Sequence, residues 1–211
     1  MIDTFLFDLD GTLINSPEII MEGYVEALRV HNPNHIITED EKTEILGFTL
    51  IKAFERHAKN EEHYNSLVDT FKTYTNELSL KMLNAYENAK SVIQYLRSKG
   101  YCVGIVTSKS FETVHENLSH VGLEDLFDVI VTSNDTVLHK PNPEPLLYAL
   151  EKLNKPAKNA IYIGDHENDI KAGKNAYMKT GLVGFTYRLK EAMNEKPDYV
   201  FNNLNNIKEI F

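Results

Sequence analysis

Short apolar runs alternate with helix-like stretches over most of the chain. Thr4 to Asp8, Val103 to Val106, Val129 to Thr132, Ile161 to Gly164 and Gly181 to Phe185 are apolar or β-branched and only four or five residues long. Near-continuous apolar runs of this length predict strands buried on both faces, the pattern of a parallel sheet. Between them, Ala89 to Lys99 closed by Gly100, Glu112 to Val121 closed by Gly122, Pro143 to Leu153 and Asp169 to Ala176 carry helical spacing with start or stop residues. Strand and helix in alternation predict an α/β fold, a Rossmann-like parallel sheet covered by helices through right-handed crossovers.

Residues 16 to 79 interrupt that alternation. Tyr64, Leu67, Val68, Phe71, Tyr74 and Leu78 lie on one helical face, as do Ile20, Tyr24, Ala27 and Leu28 earlier. Ser16 followed by Pro17 and Glu18 is a helix start, and Gly47-Phe48-Thr49 marks an internal turn. The expected division is therefore residues 1–15 with 80–211 as a catalytic core and 16–79 as an inserted helical unit. A length of 211 residues suits one domain carrying a smaller insertion.

Composition narrows the classes of function. With 22 basic and 31 acidic side chains the formal charge is -9, and the lysines are scattered. No basic patch stands out, so a nucleic-acid partner is not expected. No apolar run reaches the length of a bilayer span, and the N-terminal stretch, cut by Asp8 and Asp10, lacks the features of an export signal. Cys102 is the single cysteine and is expected as a core thiol in a reducing, cytoplasmic setting.

The candidate chemistry gathers at strand ends. In Asp8-Leu9-Asp10-Gly11-Thr12 two carboxylates two residues apart face the same side of an extended chain, while Leu9 turns away. If they are buried, their mutual repulsion calls for a cation, and oxygen ligands favour a hard ion such as Mg2+; a surface turn rich in Asp and Gly is the alternative reading. Thr107 and Ser108 end the second strand and lead into a helix, where hydroxyls and free N–H groups suit phosphate oxygens or simply cap the helix. Lys140 precedes Pro141-Asn142-Pro143, a loop position that is exposed by default. Asp165 and Asp169 follow the strand ending at Gly164, and Asp169 alone reads equally well as a helix cap. In an open parallel sheet, groups beyond the carboxyl ends of adjoining strands share one crevice.

These residues, Asp8-Leu9-Asp10-Gly11-Thr12, Thr107, Lys140 and Gly164-Asp165 through Asp169, resemble the four ordered motifs of the haloacid dehalogenase superfamily. The resemblance spans the chain, since the insert matches the subclass with a helical cap. Phe7 to Leu13, Gly104 to Lys109 and Lys140-Pro141-Asn142-Pro143-Glu144-Pro145 are most similar to its phosphoglycolate phosphatase and inorganic pyrophosphatase branch. The resemblance implies a Mg2+-dependent phosphatase acting on a small phosphorylated metabolite. Asp8 would be the nucleophile that forms an aspartyl-phosphate, and Asp10 the general acid and base. Thr107, Ser108 and Lys140 would hold phosphate. The metal would bind the Asp8 carboxylate, the Asp10 backbone carbonyl and Asp165, with Asp169 orienting metal-bound water or the lysine. Carbon–halogen cleaving members lack a second aspartate at the position of Asp10, so phosphoryl transfer is the expected reaction. A phosphomutase or other phosphotransferase on the same fold is the alternative. A receiver phosphorylated on aspartate would lack an insert of this size. His166 and Glu167 depart from the small residues common in the last motif and are expected to face solvent.

Overall fold

The computed structural model describes residues 1–211. Six parallel strands form one sheet in the order β3-β2-β1-β4-β5-β6. They are β1 (Thr4–Phe7), β2 (Cys102–Val106), β3 (Val129–Val131), β4 (Ala160–Gly164), β5 (Lys179–Val183) and β6 (Tyr199–Phe201). Side chains alternate between the two faces as the strand period requires. Phe5, Phe7, Val103, Ile105, Ile161 and Ile163 pack on one side with α5 (Ala89–Ser98) and α6 (Phe111–Val121). Leu6, Val106, Ala160 and Tyr162 pack on the other with α7 (Glu144–Leu153) and α8 (Glu167–Asn175). Each fully buried Leu, Ile or Phe contributes about 1.5–3 kcal/mol of transfer free energy, so this double burial holds the sheet flat against its helices.

β1 lies between β2 and β4, with Phe7 level with Ile105 on one side and Ile163 on the other. The chain leaves β1 toward β2 and β3, then crosses back to build β4, β5 and β6. That reversal opens a crevice above the carboxyl end of β1.

Four helices stand between β1 and α5: α1 (Pro17–His31), α2 (Glu39–Glu44), α3 (Leu50–Glu55) and α4 (Glu61–Met82). α1 and α4 pack along each other, and Tyr24, Ala27, Leu28, Ile45, Ala53, Phe54, Leu67 and Val68 form a core separate from the sheet's. The two connections to the sheet lie side by side. Asn15 N–H donates to Asn84 O at 3.0 Å, and Asn84 N–H donates to Asn15 Oδ1 at 2.7 Å.

Several elements differ from the sequence expectation. β5 begins at Lys179 rather than Gly181, because Thr180 N–H donates to Asp198 and fixes the start of the strand. Phe185, expected in that strand, lies beyond it with its ring 4.7 Å from Tyr86. β6 and the short α9 (Leu189–Asn194) and α10 (Ile207–Ile210) carry no periodic signal long enough to predict. α8 starts at Glu167, two residues early, with His166 as its N-cap. Cys102 is only partly buried, since it opens β2 at the sheet's rim.

Candidate active site

β1 delivers Asp8 to the crevice, held by Asp8 N–H donating to Ile163 O at 2.8 Å. The chain then turns at Gly11, whose φ of +72° lies in the left-handed region. A Cβ on Gly11 would meet Asp165 Oδ2 at 2.2 Å, so glycine is also what allows the β1 turn to close over the carboxylate from β4. Asp8, Asp165 and Asp169 are all buried, at 6, 4 and 1% exposure. Their oxygens come within 4.8 Å of one another.

Lys140 is buried among them rather than exposed in its loop. Its Nζ lies 2.7 Å from Asp169 Oδ1 and donates to Tyr162 Oη at 2.9 Å. It also lies 2.9 Å from Asp8 Oδ1, an electrostatic contact without hydrogen-bond alignment. Burial acts to lower the Lys140 pKa, but Asp169 and Asp8 outweigh it and hold the ammonium charged, well above the ordinary lysine value. One ammonium cannot neutralise three carboxylates. Burial pushes Asp8 up to about 7, against the pull of Lys140 and with the push of Asp169 and Asp10. Burial likewise raises Asp165 well above the carboxylate range, with Asp169 and Asp8 adding to it.

Both Asp169 oxygens are committed within the protein. Oδ1 faces Lys140, while Oδ2 accepts from the Asp165 and His166 N–H groups at 3.2 and 3.0 Å. Asp169 thus lies against the lysine. The uncommitted oxygens of Asp8 and Asp165, crowded and short of positive charge, fit a hard divalent cation such as Mg2+.

Asp10 is more open than Asp8. Its Oδ1 accepts from Lys109 Nζ at 2.7 Å and from the Ser16 hydroxyl. Ser16 therefore starts α1 without capping it, its side chain being used on Asp10 instead. Thr107 and Ser108 sit at the end of β2; Thr107 is buried, and its Oγ1 accepts from Lys109 N–H at 3.3 Å. Asp8, Asp10, Thr107, Ser108, Lys109 and Lys140 form one wall of a cavity of about 440 Å3. Phe48, Ile51, Lys72, Thr75 and Asn76, from the helical segment, form the facing wall.

His166 and Glu167 do not face solvent as expected. His166 is 2% exposed, its Nδ1 accepts from Asn168 N–H, and its ring packs so closely on Gly47 that a Cβ there would lie 2.6 Å from Cε1. Burial lowers the His166 pKa, opposed by Glu167 and Asp169. Glu167 accepts from Arg188, which also donates to Asp40 Oδ1 at 2.8 Å. These contacts join the sheet side to the helical segment. Ser16, Lys109, Tyr162 and Arg188 were not anticipated as site residues; Lys109 lies inside the Gly104–Lys109 motif, whereas Tyr162 looks like any aromatic strand residue.

Comparison with known proteins identifies the family. The profile of the haloacid dehalogenase-like hydrolases matches residues 5–183. The chain belongs to that family. The pyrophosphatase PpaX of Bacillus cereus is 34% identical over 210 residues, covering 99% of this chain and 96% of its own. Among solved structures, a predicted phosphatase from Clostridium acetobutylicum superposes with a TM-score of 0.80 at 29% identity, covering 100% of this chain and 99% of its own. A hydrolase from Pseudomonas syringae shares the fold with a TM-score of 0.85 at 24% identity, covering 98% of each chain. This haloacid dehalogenase-like hydrolase has no helix long and apolar enough to cross a membrane.

Proposed function

We propose that this hydrolase is a Mg2+-dependent phosphatase that transfers the phosphoryl group of a small metabolite to Asp8 and then to water. The observation that carries this reading is the buried Asp8 carboxylate at the end of β1, facing the cavity with Lys140 Nζ 2.9 Å from its Oδ1. Asp8 attacks phosphorus in line, and the bond from phosphorus to the substrate's ester or anhydride bridging oxygen breaks, that oxygen leaving. Asp10, two residues on and held by Lys109 and Ser16, donates the proton to that oxygen and later removes one from the attacking water. Lys140 offsets charge on Asp8 and on the phosphoryl oxygens, while Asp169 and Tyr162 fix its position. Thr107 and Ser108 supply hydroxyls for the remaining phosphoryl oxygens. Asp8, Asp165 and the Asp10 backbone carbonyl would hold Mg2+, which when bound neutralises the oxygens that meet during attack.

Residues 16–79 serve in this reading as a cap, hinged at the paired connections through Asn15 and Asn84. Pyrophosphate is the first substrate to assay, by likeness to PpaX, and phosphoglycolate the second. The apolar and hydroxylated cap wall also leaves room for a larger organic phosphate. The test is inorganic phosphate release from a panel of phosphorylated metabolites, with and without Mg2+. Turnover that needs Mg2+ and vanishes in Asp8→Asn is expected; turnover retained in that variant would assign the chemistry elsewhere.

A further inference from the structure

A second cluster of metal-binding side chains lies away from the sheet, inside the helical segment. His35 comes from the loop after α1, Glu41 from α2, and His57 from just beyond α3. Their ligand atoms lie within 4.8 Å of one another. Glu41 Oε1 is 3.0 Å from His35 Nε2 and 3.2 Å from His57 Nε2. Around a tetrahedral zinc ion with bonds of about 2.0–2.1 Å, neighbouring ligand atoms stand about 3.3–3.4 Å apart, close to these spacings. We propose that His35, Glu41 and His57 form a binding site for a late first-row divalent cation of the zinc class.

The hydrogen bonds around His57 show which contacts a bound cation replaces. His57 Nε2 is 2.8 Å from Tyr24 Oη, 3.1 Å from Arg56 Nε and 3.2 Å from Glu41 Oε1. If Nε2 carries a proton, it faces the N–H of Arg56. If it does not, it accepts from Arg56 Nε–H while Tyr24 donates to Glu41 Oε1 at 2.7 Å, and Nε2 still lies 3.2 Å from the Glu41 carboxylate. Without metal, Arg56 satisfies the unprotonated His57 Nε2; a cation that displaces the guanidinium accepts the His57 and Glu41 lone pairs at once. Two imidazoles and one carboxylate select a borderline ion over Mg2+, which prefers oxygen alone. Tyr24, donating to Glu41, would orient the carboxylate from behind. His57 and Glu41 are nearly buried, at 8 and 13% side-chain exposure, while His35 at 34% leaves an entry path and an open coordination position. Arg56 competes for Glu41 at 3.4 Å, but its side chain is 40% exposed and also reaches toward Glu44 Oε2 at 3.6 Å, so it can yield.

The test uses the full chain, stripped with chelator and then kept in excess Mg2+ so that the carboxylates below the cavity are occupied. Titration with Co2+ should reach one equivalent and give the visible ligand-field bands of a nitrogen-containing site, and Zn2+ should displace them. His35→Gln, a change at a partly exposed position, should weaken Co2+ binding by at least about 10-fold, as should Glu41→Gln. Asp165→Asn should leave the bands unchanged. Bands that persist in His35→Gln, or that disappear in Asp165→Asn, would overturn the assignment, as would a parent protein that binds no Co2+ under these conditions.

Discussion

The two ends of the same parallel strands treat aspartate in opposite ways. At the amino ends, Asp3, Asp128 and Asp198 each precede a strand and are individually satisfied. Asp128 Oδ2 accepts from Val103 N–H at 2.8 Å, and Asp198 Oδ2 accepts from Thr180 N–H at 2.9 Å. Asp3 accepts from the Thr4 hydroxyl, the main reason its carboxyl lies below the usual value. At the carboxyl ends, Asp8, Asp165 and Asp169 crowd together, one lysine contacts only Asp8 and Asp169, and Asp8 and Asp165 are raised. The amino edge uses carboxylates to fix strand starts; the carboxyl edge concentrates unneutralised charge where a phosphoryl group and a cation would supply the balance.

Substitutions at the carboxyl edge should therefore cost activity more than stability. Asp8→Asn keeps the side chain's shape but removes the proposed nucleophile, so turnover should fall below detection. Because one repelling carboxylate is gone, its thermal midpoint in chelator should equal or exceed that of the parent; calorimetry beside a phosphate-release assay checks both. A marked drop in the midpoint would mean that Asp8 is a structural carboxylate like those at the amino edge.

Asp10→Asn is expected to be the next largest change. With an alkyl phosphate, turnover should slow by about 10² to 10⁴ through lost acid-base catalysis. With p-nitrophenyl phosphate the leaving group needs little protonation, so phosphorylated Asp8 should accumulate. A rapid-mixing burst approaching one nitrophenolate per enzyme, with the phosphate located by mass spectrometry, is the signature. Equal slowing for both substrates without a burst would reduce Asp10 to a positioning role.

Lys140 tests the shared lysine itself. Removing the ammonium in Lys140→Met leaves buried carboxylates uncompensated, which should destabilise the fold by about 3–5 kcal/mol in urea titrations near neutral pH. A loss below about 1 kcal/mol would show that neighbouring carboxylates take up protons and need no lysine.

The contrast between edges was only partly legible in the sequence. Asp8, Thr107 and Asp165 could be placed at strand ends because apolar runs mark where strands stop, and the alternating pattern implied a parallel sheet. Strand order then decides which ends adjoin, and that depends on pairings between residues far apart in the chain, such as Phe7 with Ile105 and with Ile163. The burial of Lys140 follows from Asp169 and Tyr162, neither of which is near it in sequence. His166 looked solvent-facing because its ring is covered by Gly47, more than a hundred residues earlier. The amino-edge aspartates gave no local signal at all, since an aspartate before a strand reads as an ordinary turn residue.

The smallest expected effect lies at that amino edge, at Asp198. Burial tends to raise its carboxyl, but hydrogen bonds from Lys179 and Thr180 outweigh this and hold the pKa below the usual value. A depressed folded pKa means that the unfolded chain binds more protons as pH falls, so the stabilisation is fully present above the unfolded value of about 3.9 and is lost as pH drops through the folded one. Asp198→Asn should accordingly lower stability by about 1 kcal/mol at pH 7. That figure reflects the charge-assisted bonds to Thr180, since Lys179 is largely exposed and its attraction is screened by solvent. The deficit should stay constant from about pH 6 to 8 and shrink below about pH 4, with phosphate release unchanged throughout. Urea titrations of parent and variant across that range provide the measurement. A deficit that persisted in acid would trace the effect to the amide's geometry at the start of β5, not to the carboxylate's charge.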